Sequence, residues 1–175
     1  MTVAGIYNIP FITEKLLLKE LNTSRKVAIA IKNYTSQTLE NPEVYLRTGT
    51  SKFLFPSHPI SSGKGLVWGA CKTDYSTKGT SGVIVYHIKD CNLSLAFMWS
   101  IPFIYISSSN WWNLKVYEGL VEPNKELFKK MYHDNPHKGN CNSFSGKLSG
   151  GWSYEGSMGD AGQSVVIIDI REDKN

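Results

Sequence analysis

The chain has 175 residues, 41% of them hydrophobic, which is enough for one domain with a sizeable core. Its net charge of +4 is too small to indicate nucleic-acid binding, and no window reaches the ~20 consecutive apolar residues of a membrane-spanning helix. Three cysteines cannot all pair with one another, which argues against a fold built on disulfides.

The first predicted helix lies close to the N-terminus. Residues 1–10 are mostly apolar and small, end at Pro10, and are expected to be irregular. Residues 11–21 (FITEKLLLKEL) contain good helix formers and neither glycine nor proline, so they predict a helix. The polar residues 22–24 (NTS) end it, and its leucines cluster only loosely on a helical wheel.

From Arg25 onward, apolar residues recur at every second position. Val27, Ile29 and Ile31 alternate with lysine and alanine, which predicts a strand with one buried face. Turn residues separate further strands. These are expected at 43–50, 65–72, 82–89, 93–101, 111–118, 150–157 and 164–171. Many short strands at this spacing predict a β-sandwich.

A second helix is predicted at about residues 124–133. Pro123 suits the start of a helix, and Leu127, Phe128 and Met131 place apolar side chains on one face opposite several lysines. The predicted fold class is therefore mainly β, a β-sandwich flanked by two α-helices in a single domain of residues 1–175.

Aromatic residues concentrate in residues 97–117, which hold seven of the chain's 21. Neighbouring side chains of a strand point to opposite faces, so one ring of the adjacent pair Trp111 and Trp112 is expected to face away from the core. An exposed tryptophan beside hydroxyl groups suits a membrane interface. The alternative is that both rings pack inside the protein.

The sequence offers little support for catalysis or metal binding. The GWSYE motif at 151–155 lies within a strand pattern, whereas a nucleophile elbow needs a turn from strand to helix. His133, His137 and Cys141 would share one side of a helix, but a proline and a glycine interrupt it. We therefore expect a protein that is not an enzyme and holds no metal or cofactor.

Several motifs resemble those of the actinoporin family of α-pore-forming cytolysins, in the same order. They are RKVAIAIKN, VYLRTGTS, KGTSGVIVYHI, SIP, SNWWNLKVYEG and KMYHDN, and the similarity extends from about Phe11 to Ile170. The resemblance implies a secreted protein, monomeric in solution, that binds phosphocholine headgroups of membrane lipids, preferably sphingomyelin. It also implies a homo-oligomer on the target-cell membrane, into which residues 1–24 detach and insert. Because the chain shows no evident signal peptide, cytosolic storage is an alternative.

The resemblance also assigns residues to roles. The phosphocholine-binding positions are Thr48, Ser81, Ser100, Pro102, Phe128, Tyr132 and His133. The membrane-interface anchor positions are Trp111, Trp112 and Tyr105. The membrane-insertion positions are Phe11, Ile12, Leu16, Leu17, Leu18 and Leu21. Aromatic faces attract a quaternary ammonium, and hydroxyl groups can meet the phosphate.

The chain departs from the family pattern in ways that bear on function. Ser107-Ser108 replaces a Trp-Tyr pair, and Lys138-Gly139-Asn140 replaces an Arg-Gly-Asp tripeptide. A helix over residues 11–21 is only ~16 Å long, against a ~30 Å hydrocarbon core, and extending it passes through Pro10. A second hypothesis is therefore a non-lytic module of the same fold that binds lipid headgroups or, like a lectin, glycans.

Overall fold

Two β-sheets packed face to face form the body of the protein, and each sheet carries one helix on its outer face. This computed structural model describes residues 4–12 and 14–173, without the side chains of Phe11, Lys15 and Leu16. The mainly β sandwich with two flanking helices is thus confirmed.

The elements follow one another in a simple order along the chain. The strands are β1 (Gly5–Asn8), β2 (Lys26–Asn33), β3 (Leu39–Thr48), β4 (Lys64–Cys71), β5 (Thr80–Ile88), β6 (Leu93–Ile101), β7 (Asn110–Glu118), β8 (His137–Gly139), β9 (Ser143–Leu148), β10 (Trp152–Met158) and β11 (Gln163–Glu172). The helices are α1 (Glu14–Glu20) and α2 (Lys125–His133), and a short 3-10 turn covers Ile9–Phe11.

The two sheets differ in how their strands are ordered. The first has the order β1-β4-β2-β11-β10-β9, with β2 and β11 parallel, and the second has the order β3-β5-β6-β7-β8. The inner faces of both sheets form the main core, where Trp68 and Trp99 meet edge to face with ring centroids 5.8 Å apart. Residues 152–155 of the GWSYE motif lie in β10, as the strand pattern predicts, and Gly151 belongs to the turn before it.

Helix α1 covers the outer face of the first sheet. Leu17 and Leu21 are fully buried there, above Gly69 of β4, whose missing side chain leaves room for both leucines. As a result β2 is buried on both faces, and the prediction of a strand with one buried face is wrong. Ala28 reads in the sequence as part of an exposed face, but it packs against Leu17 of α1, the helix that directly precedes β2 in the chain.

The N-terminal residues are more ordered than predicted. Residues 5–8 form β1, which pairs with β4 at the edge of the first sheet, so the expectation of an irregular segment up to residue 10 is wrong. The helix is also shorter than residues 11–21, because Ile12 has an extended backbone between the 3-10 turn and α1. Within the described residues, neither helix is long and apolar enough to cross a bilayer.

Helix α2 lies on the outer face of the second sheet. The side chain of Asn124 caps its first turn by accepting a hydrogen bond from the Leu127 amide at 2.9 Å. At the other end, Asn113 Nδ2 donates to the carbonyl oxygens of Met131 and Asp134 at 2.8 and 2.9 Å. These contacts fix the helix against β7 and thereby fix the side chains of its last turn.

Candidate functional site: a cleft and loop at one end of the sandwich

A cleft of about 270 Å³ lies between α2 and strands β3, β5 and β6. Its lining consists of Arg47, Ser81, Ser100, Phe128, Lys129, Tyr132 and His133. Five of the seven positions assigned to phosphocholine therefore line one cleft: Ser81, Ser100, Phe128, Tyr132 and His133. Helix α2 supplies the aromatic wall. The paired strands β5 and β6 supply two hydroxyl groups, because Ser81 and Ser100 lie directly opposite each other in this pairing.

The other two predicted positions lie outside this lining. Thr48 reaches the cleft indirectly, since its Oγ1 lies 2.8 Å from Ser81 Oγ in a hydrogen bond. Pro102 instead offers its carbonyl oxygen to Arg25 Nε at 3.1 Å. A larger, mostly apolar cleft of about 560 Å³ lies beside β1 and contains none of the predicted headgroup positions.

The aromatic wall of the cleft is a compact group of rings. Phe128 and Tyr132 stack with centroids 5.8 Å apart, and His133 meets Tyr132 edge to face at 5.2 Å. Phe128 is only 4% exposed, and the Arg47 guanidinium already lies over its ring at 5.4 Å. Tyr132 and His133 therefore present the more accessible rings, and Phe128 mainly supports them.

Two cationic side chains line the cleft and can attract an anion. Arg47 extends from β3, and Lys129 from α2, and both side chains are exposed. A guanidinium and an ammonium beside two serine hydroxyls can meet a phosphate, while the adjacent rings can meet a quaternary ammonium. The cleft thus combines the two kinds of group that a zwitterionic phosphocholine requires.

The loop of residues 102–109, which joins β6 to β7, is held in place by Arg25. The Arg25 Nη2 donates to the Phe103 carbonyl oxygen at 2.6 Å, and its guanidinium carbon lies 5.2 and 5.1 Å from the Phe103 and Tyr105 ring centroids. Tyr105 Oη in turn donates to Asn110 Oδ1 at 2.7 Å. Burial raises the pKa of the Tyr105 hydroxyl above its usual value, so it remains a neutral donor.

The two adjacent tryptophans face in opposite directions, as predicted. Trp111 is half-buried and pairs with Ser100 of the cleft, whereas Trp112 is fully buried between the sheets. Trp112 packs against His137 and Tyr154, with centroids 4.5 and 6.0 Å away. An anchor at a membrane surface must be accessible, so the assignment of Trp112 to that role is wrong for this fold.

The predicted insertion residues occupy different environments. Leu17 of α1 and Leu21, just after its end, are fully buried between the helix and the first sheet. Ile12 and Leu18 are half-buried. The side chains of Phe11 and Leu16 lie outside the described part of the chain. Lys26 Nζ donates a hydrogen bond to the Leu21 carbonyl oxygen at 2.8 Å. This bond supplies a partner for a carbonyl group at the C-terminal end of the helical segment.

Sequence reasoning missed several residues of this end of the sandwich. Lys129 gave no signal beyond its place among the helix lysines, and Arg25 gave none beyond starting β2. Ile104 and Ile106 are 58% and 99% exposed, and the available signal was an apolar run that continues past the strand into a loop.

Comparisons with known proteins agree on fold and family. Residues 3–172 match the family model described as sea anemone cytotoxic protein. Bryoporin of Physcomitrium patens is 32% identical over 151 residues, covering 85% of this chain and 84% of its own length. The deep-sea actinoporin Cjtox I of Cribrinopsis japonica is 33% identical over 160 residues, covering 91% and 72%. The crystal structure of the lipid binding protein Nakanori superposes with a TM-score of 0.66 at 19% identity, covering 92% of this chain and 77% of that one, which supports the fold.

Proposed function

Because the chain belongs to the sea anemone cytotoxic protein family, we propose that it is a pore-forming cytolysin that binds membranes through phosphocholine headgroups. The observation that carries this proposal is the cleft, in which Tyr132 and His133 lie beside Arg47, Ser81 and Ser100. The zwitterionic headgroup of sphingomyelin, or of phosphatidylcholine, carries the matching pair of charges, an anionic phosphate and a quaternary ammonium.

In the proposed complex, the choline group contacts the faces of Tyr132 and His133. Such a cation–π contact contributes on the order of 0.5–2 kcal/mol, depending on how far water is excluded. Arg47 and Lys129 contact the phosphate, and the Ser81 and Ser100 hydroxyls complete its hydrogen bonding. Trp111, next to Ser100, enters the membrane interface with its ring half in the headgroup layer.

Pore formation then requires residues 1–24 to leave the sandwich, with residues 22–24 as the hinge. As one helix, residues 1–21 of this segment would be about 32 Å long, just enough to cross a ~30 Å hydrocarbon core, although Pro10 within it costs ~3 kcal/mol or more. Several copies assembled on the target membrane would together line the pore. Release exposes Leu17 and Leu21 and breaks the pairing of β1 with β4, so membrane burial has to compensate both.

A second candidate function is a headgroup-binding module that does not lyse membranes. The observation that favours it is the firm attachment of the N-terminal segment, which is both paired as β1 and docked as α1. A 3-10 turn containing Pro10 separates the two, and this break opposes a continuous helix.

An NMR titration with soluble phosphocholine tests the headgroup assignment. We expect chemical-shift changes centred on Ser81, Ser100 and Tyr132, and a Tyr132→Leu variant that binds at least about fivefold more weakly. Tyr75→Leu is the matched control, because Tyr75 is fully exposed and away from the cleft lining. Shifts that cluster elsewhere, or equal binding by Tyr132→Leu, would contradict the assignment.

A further inference from the structure

Two isoleucines project into solvent from the loop that adjoins the cleft. Ile106 is 99% exposed and Ile104 is 58% exposed, while Tyr105 between them is half-buried. The loop begins just after Ser100, which lines the cleft, and ends just before Trp111, which pairs with Ser100. The isoleucines therefore lie at the same end of the sandwich as the headgroup cleft.

The exposure of these isoleucines follows from how the loop is fixed. Tyr105 is held inward by its hydrogen bond to Asn110, and Asn110 Nδ2 donates to the carbonyl oxygens of Gly159 and Ala161 at 2.9 and 2.8 Å. Arg25 donates a hydrogen bond to the carbonyl oxygen of Phe103, two residues before Tyr105. With Tyr105 anchored in this way, the aliphatic side chains before and after it are presented outward in advance of binding.

Cationic groups contact the base of this loop and line the adjoining cleft. Arg25 lies against Tyr105, Lys72 Nζ lies 5.8 Å from the Phe103 ring centroid, and the cleft adds Arg47. One carboxylate, that of Asp160, also lies close enough for its negative charge to act on the Tyr105 hydroxyl. An apolar tip backed mainly by cations fits a lipid surface, in which hydrocarbon lies beneath a layer of phosphates.

We propose that Ile104 and Ile106 form an aliphatic wedge that enters the hydrocarbon beneath the lipid headgroups. The wedge stands next to Ser107-Ser108, where the family resemblance predicts a Trp-Tyr pair, and it supplies the apolar membrane contact that the two serines cannot make. This inference rests on the proposed membrane-binding function and adds to it the part of the lipid, the acyl chains, that the loop contacts.

Co-sedimentation with phosphatidylcholine vesicles measures the contribution of the wedge. We expect the double variant Ile104→Ser/Ile106→Ser to partition onto vesicles at least about 30-fold more weakly, because burying the 99% exposed Ile106 contributes a factor of about ten and burying the 58% exposed Ile104 a factor of about three. Leu120→Ser is the matched control. Leu120 is 73% exposed, but it follows the far end of β7, which extends about 24 Å from Trp111 to Glu118, and the partition of this variant should stay within about twofold of wild type.

A parallel titration with soluble phosphocholine separates the wedge from the cleft. The double variant should bind the free headgroup as wild type does and keep the same melting temperature. Equal vesicle partition of wild type and double variant would overturn the wedge, as would a change in the solution oligomeric state with no change in partition. Failure of wild type to bind phosphocholine, with vesicle binding still dependent on the isoleucines, would overturn the headgroup assignment and leave the wedge intact.

Discussion

Arg25 and Phe103 are joined across 78 positions of sequence by a hydrogen bond of 2.6 Å from Nη2 to the carbonyl oxygen. Arg25 stands directly after the hinge at residues 22–24, and Phe103 is the second residue of the loop that carries the two exposed isoleucines. One guanidinium therefore connects the base of the N-terminal segment to the surface through which the protein is proposed to contact lipid.

Replacing Arg25 with lysine should loosen this loop. An ammonium cannot donate to the carbonyl oxygens of Pro102 and Phe103 together while lying flat against two rings, so Arg25→Lys should lower the free energy of unfolding by about 1–2 kcal/mol. Urea denaturation measures the change. Arg171→Lys is the comparison, because this guanidinium stacks on one ring, that of Tyr34 at 4.0 Å, and pairs with one carboxylate, that of Asp169 at a long 3.6 Å, and the substitution should cost less than about 1 kcal/mol. Equal losses in the two variants would contradict a special role for Arg25.

The two tryptophans should respond differently to truncation. Trp112→Ala removes a fully buried ring between the sheets and should destabilise the protein by about 3–5 kcal/mol. Trp111→Ala truncates a half-buried ring and should cost less, about 1–2 kcal/mol, while it weakens vesicle binding. Thermal unfolding and co-sedimentation of both variants separate the effects, and normal vesicle binding by Trp111→Ala would remove it from the membrane contact.

His137 should make stability depend on pH. Its Nε2 lies 2.6 Å from Tyr154 Oη, and burial, aided by the charge of Lys115, lowers the pKa of the imidazole below 6.5. The folded state therefore takes up the proton less readily than the unfolded state. The resulting stability is present above about pH 6.5 and is lost as the pH falls through that value toward the lower folded pKa.

The variant His137→Phe tests this dependence. A phenyl ring can occupy the same stack against Phe144 and Trp112, but it cannot take up a proton. The fall in melting temperature between pH 7 and pH 5 should be smaller than in wild type, whereas the exposed His58→Gln should keep the wild-type fall. Parallel curves for wild type and His137→Phe would show that other groups cause the dependence.

A methyl group at Gly69 should loosen the N-terminal helix. A Cβ there would lie 3.0 Å from Leu21 Cδ1 and 3.1 Å from the Val27 carbonyl oxygen, so α1 has to move outward. Gly69→Ala should lower stability by about 1–3 kcal/mol and speed proteolysis at residues 22–24. Gly5→Ala serves as the control, because the nearest contact of its Cβ among the described residues would be Tyr7 at an ordinary 3.6 Å. Unchanged proteolysis in Gly69→Ala would contradict this account of how the helix is seated.

The sequence predicted the strands in which apolar residues alternate clearly between flanking turn residues. The range 93–101 for β6 agrees with the structure at both ends, because alternation and flanking turn residues mark it clearly. The short strands β1 and β8 were missed, as was β9, whose sequence SFSGKL is polar and contains glycine. Their pairing depends on partner strands elsewhere in the chain, which local patterns do not reveal.

The candidate site was predictable only in part, and mainly through the family resemblance. That resemblance brought Tyr132 and His133 together with Ser100, whereas the residues alone suggested only an aromatic surface. It could not show that Arg47 already covers Phe128, or that Ile106 points outward. The cover over Phe128 depends on how α2 docks against β3, which is distant from it in the sequence. The direction of Ile106 depends on the conformation of its loop.

The most direct test of the central claim combines dye release with co-sedimentation, using vesicles of phosphatidylcholine with and without sphingomyelin. A pore-forming cytolysin that recognises phosphocholine should bind both kinds of vesicle and release their dye, with sphingomyelin increasing the effect. Binding without release from either kind of vesicle would contradict pore formation and favour the non-lytic module. The absence of both binding and release would contradict the membrane function altogether.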